Sequence, residues 1–311
     1  MESEETPLPH DEHEIAALIT DANAAARRGE AARAVETLRQ GIAVRPGAWP
    51  LHLALAEQLR DMGAYAEALA EFERTIALDP GVAQARSGAG RVLLRLGRRD
   101  EACAAFQEAL QLRPTAARWV LLGTAEELRD RPAEAETCFR RALDLDPESY
   151  EAELGLALLL RDRSPDAALV RLRRARELAP GRGDIARELG ITLIKTGNLA
   201  EADSALQAAA VLDPDDVWAR LYRANALWGL GDLVSAEKEY RAAQALSPVD
   251  SSVHRCIGQF FAARGRLNEA EVALRAALAA DPQDEIAAAA LTAVLRARQA
   301  EATGGRSADQ P

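Results

Sequence analysis

Prolines recur along this 311-residue chain at a nearly constant interval of 33 or 34 residues. A period of this size over most of a chain is typical of one small structural unit repeated in tandem, in which each copy contacts its neighbours. The interval therefore predicts a single continuous repeat array rather than two globular domains. The prolines are Pro46, Pro80, Pro114, Pro147, Pro180, Pro214, Pro248 and Pro282.

Four positions before each proline share one face of an α-helix. The third repeat shows them as Ala102, Phe106, Ala109 and Leu112, which precede Pro114 by twelve, eight, five and two residues. The first position is alanine in every repeat, the second is Leu, Phe or Tyr, the third is small, and the fourth is mostly leucine. Steps of four, three and three residues return to the same helical face, so we expect all four columns in the core.

Another helix precedes this one in each repeat. A small residue such as Gly90 stands ten residues after most of the prolines, and an apolar residue such as Leu93 follows three positions later. Gly97 represents a glycine column between the two helices, where a left-handed residue can end the first helix. The proline ends the second helix because it has no N–H donor. Each repeat is therefore predicted to be a helical hairpin.

These columns resemble the tetratricopeptide repeat over about residues 15–284. The residues that carry the resemblance in the third repeat are Gly90, Gly97, Ala102, Phe106, Ala109 and Pro114. The resemblance implies an all-α fold: a right-handed α-solenoid superhelix of about eight TPR helical hairpins plus a C-terminal capping helix. It also implies that the first helices line a concave groove.

The predicted organisation follows the columns. The charged, aperiodic ends, residues 1–14 and 301–311, are expected to be disordered. A capping helix is expected over residues 285–300. The eight tandem repeats are predicted at 15–48, 49–82, 83–115, 116–149, 150–182, 183–216, 217–250 and 251–284.

Two repeats are one residue short, and both lie near the middle of the chain. The fourth has Asp130 where glycine usually stands, and the fifth shortens its turn at Ser164 and Pro165. We therefore expect the stack to bend or change its twist between about residues 116 and 182.

Composition restricts the function classes. The net charge of −11 and the pI of about 5.1 argue against a broad phosphate-binding surface, so no nucleic-acid partner is expected. No apolar run is long enough to cross a membrane, and the start does not resemble a signal sequence, so a cytoplasmic location without membrane insertion is predicted. Three cysteines without paired spacing, Cys103, Cys138 and Cys256, are expected to be small buried hydrophobes.

Catalytic chemistry is not indicated either. The glycines lie at the turns of the predicted hairpins and do not form a phosphate-binding loop. No serine or cysteine has a histidine placed to activate it. The carboxylates are interpreted as charges on exposed helix surfaces. We expect a chain that is not an enzyme and needs no cofactor or metal.

Aromatic residues concentrate in the seventh repeat. Trp218, Tyr222 and Asn225 follow an i, i+4, i+7 spacing on its first helix, whereas Tyr240 belongs to a core column. Exposed Trp and Tyr with Arg nearby are typical of protein interfaces. Packing between repeats and self-association are the alternative interpretations. The candidate partner-binding residues are Trp218, Leu221, Tyr222, Asn225, Trp228, Arg187, Ile191, Lys195, Arg255 and Gln259.

Arg223 is an anomaly beside this cluster, because other repeats have leucine or isoleucine at its position. Two arrangements would avoid a bare buried charge: the stem could lie along the apolar seam with its head at the rim, or the guanidinium could pair with a carboxylate.

The predicted function is a non-enzymatic protein–protein interaction scaffold or adaptor that holds a peptide or helix of a partner in the concave groove. Two alternatives remain open from the sequence. The chain could be a structural subunit of a multiprotein assembly, or it could be the regulatory partner of a separately encoded enzyme such as a transferase.

Overall fold

A computed structural model of the chain describes residues 9–307, with side chains described over residues 12–301. Throughout this range the regular secondary structure is α-helical. The helices are α1 (Pro9–Arg27), α2 (Ala31–Val44), α3 (Trp49–Asp61), α4 (Tyr65–Leu78), α5 (Ala83–Arg95), α6 (Arg99–Leu112), α7 (Ala116–Leu128), α8 (Pro132–Leu145), α9 (Tyr150–Leu160), α10 (Pro165–Leu178), α11 (Gly183–Lys195), α12 (Leu199–Leu212), α13 (Val217–Gly229), α14 (Leu233–Leu246), α15 (Ser251–Ala263), α16 (Leu267–Ala280) and α17 (Glu285–Ser307).

The chain divides into two compact units, residues 1–159 (unit 1) and residues 160–311 (unit 2). In unit 1, hairpins form from α1 with α2, α3 with α4, α5 with α6 and α7 with α8. In unit 2, they form from α11 with α12, α13 with α14 and α15 with α16, and α17 packs on α16. The predicted all-α repeat fold is confirmed, whereas the number of repeats and the bend near the middle stay predictions.

First helices contact one another directly within each unit. The contacts join α1, α3, α5 and α7 in unit 1 and α11, α13, α15 and α17 in unit 2. Each second helix instead packs between two first helices, as α12 does between α11 and α13. One face of each unit is therefore built from first helices, and side chains on that face can act together across repeats.

Three of the four predicted core columns are buried. The alanine column and the Leu, Phe or Tyr column are fully or almost fully inaccessible in every repeat, as Ala102 and Phe106 show. The column two residues before the proline lies mostly outside the core, since Val44 is 72% exposed and Leu145 is also exposed, while Leu78 and Leu178 are half-buried. Val44 and Leu145 end their helices, α2 and α8, so the last turn carries the side chain past the neighbouring helix.

Glycines complement the aromatic column. A Cβ added to Gly88 would lie 2.3 Å from the Phe72 ring of the preceding hairpin, and one added to Gly155 would lie 2.6 Å from Phe139. In unit 2 the position equivalent to Gly88 holds Tyr222, and the residue equivalent to Phe72 is Leu206. One pair of positions, sixteen residues apart, thus holds Phe with Gly in unit 1 and Leu with Tyr in unit 2.

The turn between the helices of a hairpin needs a left-handed residue, as predicted. Gly97 has a φ of 77°, and the other turn glycines of the column have φ between 71° and 82°. Asp130 adopts the same conformation with a φ of 59°, where an L side chain is strained. The fourth repeat therefore keeps the turn despite its missing glycine.

Asp130→Gly is expected to raise the free energy of unfolding by about 1 kcal/mol, because glycine relieves the left-handed strain. Urea unfolding monitored by circular dichroism measures the change. Asp144→Gly within α8 is the matched control and should lower stability by about 1 kcal/mol, because glycine is a poor helix former there. A loss at both positions would contradict the argument.

Helix extends into both predicted tails. α1 begins at Pro9 and α17 continues to Ser307, so residues 9–14 and 301–307 are helical, and the capping helix is longer than the predicted 285–300. The remaining tail residues, 1–8 and 308–311, lie outside the described residues. Within the described chain, no helix is long and apolar enough to cross a membrane.

Candidate functional site

All ten candidate partner-binding residues lie in unit 2, on three adjacent first helices. The three helices are α11, α13 and α15, and α13 contacts the other two. The structure brings these residues to one region, but their environments differ. Trp218 and Tyr222 form an aromatic pair on α13, whereas other candidates pack against neighbouring side chains.

Trp218 and Tyr222 form the exposed aromatic pair. Trp218 is 41% exposed and Tyr222 is half-buried. Their ring centroids lie 6.4 Å apart with the ring planes inclined by 36°, because the i, i+4 spacing places them one turn apart on α13. The exposed Trp218 ring and the half-buried Tyr222 ring therefore lie next to each other on a first helix of unit 2.

An ion pair fixes the start of α13 beside this surface. The Asp216 carboxylate caps the helix by accepting a hydrogen bond of 3.0 Å from the Ala219 amide. Its other oxygen accepts a hydrogen bond of 2.7 Å from Arg187 on α11. Burial alone would lower the pKa of Arg187, but the hydrogen bond and charge of Asp216 outweigh it and raise that pKa.

The same arrangement recurs two repeats later. Arg255 on α15 donates to the Asp284 carboxylate at 2.8 Å, and Asp284 accepts from the Ala287 amide at 2.9 Å, which caps α17. Burial opposes the ionised form of Asp284, yet hydrogen bonds from Ala287, Arg255 and Ser251 lower its pKa. Arg187 and Arg255 therefore join successive first helices, and a partner carboxylate would compete with an existing pair.

Three of the candidate residues serve packing. Leu221 is only 2% exposed, so its assignment to the partner-binding surface is corrected. Trp228 is half-buried and packs edge-to-face on Phe260 of α15, with centroids 5.7 Å apart. Asn225 is half-buried, and its Oδ1 accepts a hydrogen bond from the core Tyr240 hydroxyl. Trp228 thus follows the packing alternative that the sequence left open, whereas Asn225 forms a hydrogen bond within its own repeat.

The other candidates frame the aromatic pair on α11 and α15. Lys195 forms an ion pair with Asp162 near the end of α11. Ile191 and Gln259 are half-buried at equivalent positions of α11 and α15. These two side chains are neutral, so the surface around the aromatic pair combines apolar and amide groups with charges that are already paired.

Arg223 pairs with carboxylates, which settles the choice left open by the sequence. Its Nε donates to Asp203 on α12 at 2.7 Å, and its Nη1 donates to Glu239 on α14 at 3.1 Å. Arg220 also donates to Glu239, at 3.4 Å. The three helices are thereby joined by a partly buried network that balances the arginine charge.

A second set of residues was missed by the sequence analysis. In four of the repeats, a histidine or arginine six residues after the proline donates a hydrogen bond to the carbonyl of that same proline. Nε2 of His52 donates to Pro46 at 3.0 Å, and Nε2 of His254 donates to Pro248 at 2.8 Å. Arg86 and Arg220 make the equivalent bonds. The constant offset of six residues was the signal that could have revealed this column.

The cysteines fit the expected packing role in part. Cys103 and Cys138 are buried and Cys256 is half-buried, and all three are free thiols. Burial raises the pKa of Cys138 to about 11, so its reactive thiolate form is scarce near neutral pH. Among the residues that the structure describes, no group of three or more His, Cys, Asp or Glu side chains could hold a metal ion.

Comparison with known proteins agrees with the geometry. A family model described as tetratricopeptide repeat matches residues 53–117, 158–217, 187–251 and 221–285. A second model of the same description matches residues 116–159. The matches together extend over residues 53–285, which is well over half of the chain. The comparison with curated proteins gives no match.

Solved structures with this fold include a chain of the APC/C hetero-tetramer Cut9-Hcn1, with a TM-score of 0.68 and 16% identity over 89% of this chain and 55% of that chain. Our chain thus spans about half the length of that protein. PilW, a widely conserved type IV pilus biogenesis factor, is 23% identical with a TM-score of 0.60 and covers 66% of this chain and 96% of its own. PilF of Pseudomonas aeruginosa is 18% identical with a TM-score of 0.59, over 66% and 94% of the two chains.

Identities below 25% show the fold alone, whereas the family models match the sequence itself. Those models coincide with the helical hairpins, the buried alanine column and the left-handed turns of the structure. The chain belongs to the tetratricopeptide repeat family.

Proposed function

We propose that this chain is a non-catalytic protein-interaction scaffold and that a segment of its partner binds on the first-helix face of unit 2. Membership of the tetratricopeptide repeat family supports an interaction scaffold in general. The specific observation is the Trp218 and Tyr222 pair, in which Trp218 is 41% exposed and Tyr222 is half-buried, whereas Tyr240, Phe260 and Phe261 are buried.

The chemistry of this face favours an apolar contact at its centre. Trp and Tyr supply a large contact area at low entropic cost and are enriched among residues that dominate binding energy. The cations Arg187, Lys195 and Arg255 already pair with carboxylates of the chain itself. A partner therefore gains more by covering the aromatic rings than by replacing one of these ion pairs.

Trp218→Ala combined with Tyr222→Ala is expected to weaken partner capture at least tenfold, since two interface aromatics commonly contribute more than 1.4 kcal/mol together. The measurement is quantitative affinity capture from the native cell lysate, followed by calorimetric titration of the purified partner. Val234→Ala is the matched control, because Val234 is 82% exposed on the second helix α14.

Thermal unfolding of the same variants separates binding from folding. Trp218→Ala alone should melt close to the unsubstituted chain, because Trp218 is 41% exposed. Tyr222→Ala should lower the melting temperature because Tyr222 is half-buried, and Trp228→Ala should lower it because Trp228 packs on Phe260. Loss of capture by Trp218→Ala therefore reports binding rather than folding. Unchanged capture by the double variant would refute the proposed surface. Sedimentation of the unsubstituted chain and the double variant distinguishes a partner protein from a second copy of this chain.

The role of a structural subunit is the second candidate, and a different surface favours it. The residues that end the second helices are exposed and apolar, as Leu212 and Leu246 show in unit 2. If this row forms the contact, Leu212→Ser with Leu246→Ser should release the chain from its assembly while the aromatic double variant stays bound.

A further inference from the structure

Unit 2 contains a cleft on the second-helix side, away from the proposed partner surface. It opens between α14 and α16, and its volume is about 420 Å³. The buried side chains of Tyr240, Ile257 and Phe261 supply apolar lining. A cleft of this size falls within the range of small-molecule sites.

His254 lines this cleft and is only 7% exposed. Its Nε2 donates to the Pro248 carbonyl at 2.8 Å, which leaves Nδ1 as the second polar atom of the ring. Nδ1 lies 3.4 Å from the Gln244 amide nitrogen, a long contact for a hydrogen bond. A buried polar atom so weakly engaged, in a cavity wall, marks a place where a stronger partner would be favourable.

Equivalent positions in other hairpins already have that partner. Nδ1 of His52 lies 2.6 Å from the Glu71 carboxylate, while Nε2 of the same ring donates to Pro46. Arg220, at the same repeat position, donates to Glu239 at 3.4 Å. Glu71 and Glu239 both stand nine residues before the proline that closes their hairpin.

The hairpin of α15 and α16 has no carboxylate in this place. The residue nine positions before Pro282 is Ala273. Arg86 shows that an acid six positions before the proline can also serve, since it donates to Glu108 at 3.1 Å, but that position here is Ala276. Both alanines line the cleft, so the cleft occupies the space where the hairpins of His52, Arg86 and Arg220 hold a glutamate.

From this vacancy we infer that the cleft binds a small monocarboxylic acid with an apolar chain. The carboxylate accepts a hydrogen bond from Nδ1 of His254, as the Glu71 carboxylate does from His52. Bound in this way, the ligand carboxylate lies at Nδ1 of the ring and the Pro248 carbonyl lies at Nε2. The apolar chain of the ligand lies on Tyr240, Ile257 and Phe261.

Charges at the rim do not repel such an anion. Glu237 is bound by Arg266 at 2.6 Å and by Arg241 at 2.6 Å, and hydrogen bonding from Arg266 holds the pKa of Glu237 at about 2. Glu269 also pairs with Arg266. The two carboxylates at the rim are therefore neutralised by neighbouring guanidinium groups.

The purified full chain is titrated with 3-phenylpropanoate and with hexanoate. Binding is measured by calorimetry and by the NMR signals of the imidazole nitrogens of His254. Both acids should bind saturably, and the corresponding alcohols, 3-phenylpropanol and hexan-1-ol, should bind at least tenfold more weakly. Binding of the acids should move the Nδ1 signal to that of a protonated nitrogen. Equal binding of acid and alcohol would overturn the inference.

Ala273→Glu is the decisive variant, because it introduces the glutamate that the hairpins of His52 and Arg220 have at this position. It should keep or raise the melting temperature and lower affinity for both acids at least tenfold. Val211→Glu is its matched control, since Val211 is exposed on α12, and it should bind as the unsubstituted chain does. His254→Gln keeps an amide donor for Pro248 and should lose binding as well. Full binding by folded Ala273→Glu, or binding of a peptide with a terminal carboxylate but of neither free acid, would contradict the proposed ligand class.

Discussion

Tyr240→Ala should lower the free energy of unfolding of unit 2 by about 3–5 kcal/mol, the usual loss when a buried aromatic is truncated. Tyr240 is only 1% exposed, and its ring lies 5.0 Å from that of Phe260. Phe260 in turn supports Trp228 at 5.7 Å. Removing the Tyr240 ring therefore weakens contacts between two successive hairpins, and urea unfolding followed by tryptophan fluorescence measures the loss.

Tyr240→Phe separates ring packing from hydrogen bonding. The hydroxyl donates to Oδ1 of Asn225, and burial raises the pKa of Tyr240, which keeps the donor proton in place. Losing this bond alone should cost about 1 kcal/mol. If Tyr240→Phe were as damaging as Tyr240→Ala, the hydrogen bond within the hairpin of α13 and α14, rather than the packing of the ring, would be the main contribution of Tyr240 to stability.

The hairpin fold was predictable because each of its requirements leaves a mark at a fixed offset. Close helix contacts require alanine, as at Ala102, and a left-handed turn favours glycine, as at Gly97. The leucines two residues before the proline share the periodicity of the core, yet most of them are exposed. Periodicity assigns a face of an infinite helix, whereas burial also depends on where the neighbouring helix ends.

The candidate surface was only partly predictable for a similar reason. The i, i+4 spacing correctly places Trp218 and Tyr222 together on α13. It does not reveal that Trp228 meets Phe260 of the next hairpin, because that contact depends on how two hairpins pack. The exposure of a first-helix side chain is thus set jointly by its own helix and by the adjacent repeat.

Ion pairs between repeats depend on residues that are distant in sequence. Arg223 was recognised as anomalous, but its partners Asp203 and Glu239 lie 20 and 16 residues away. Such a partner becomes predictable only when its offset recurs, as it does for Arg187 with Asp216 and Arg255 with Asp284, both 29 residues apart. Recurrent offsets therefore carry information that single anomalies lack.

Gly88→Tyr is expected to lower the free energy of unfolding of unit 1 by about 3 kcal/mol, near the upper end for overpacking. The nearest atoms to an added Cβ would belong to Phe72, at 2.3 Å and beyond, and that ring is fully buried and cannot swing away. Gly47→Tyr is the open-space control, because a Cβ there would meet nothing within 4 Å. Its stability should change by less than about 0.5 kcal/mol.

Phe72→Leu should rescue Gly88→Tyr, because unit 2 contains this combination as Leu206 and Tyr222 at the equivalent positions. Phe72→Leu alone opens a cavity and should cost about 1–3 kcal/mol. In the double variant the tyrosine occupies the released space, so the two losses should not add. A coupling energy of about 1–3 kcal/mol in a double-mutant cycle is the expected signature. If the losses of unfolding free energy were additive, the two side chains would not share one space. A constraint other than the Phe72 ring would then require the small residue at Gly88.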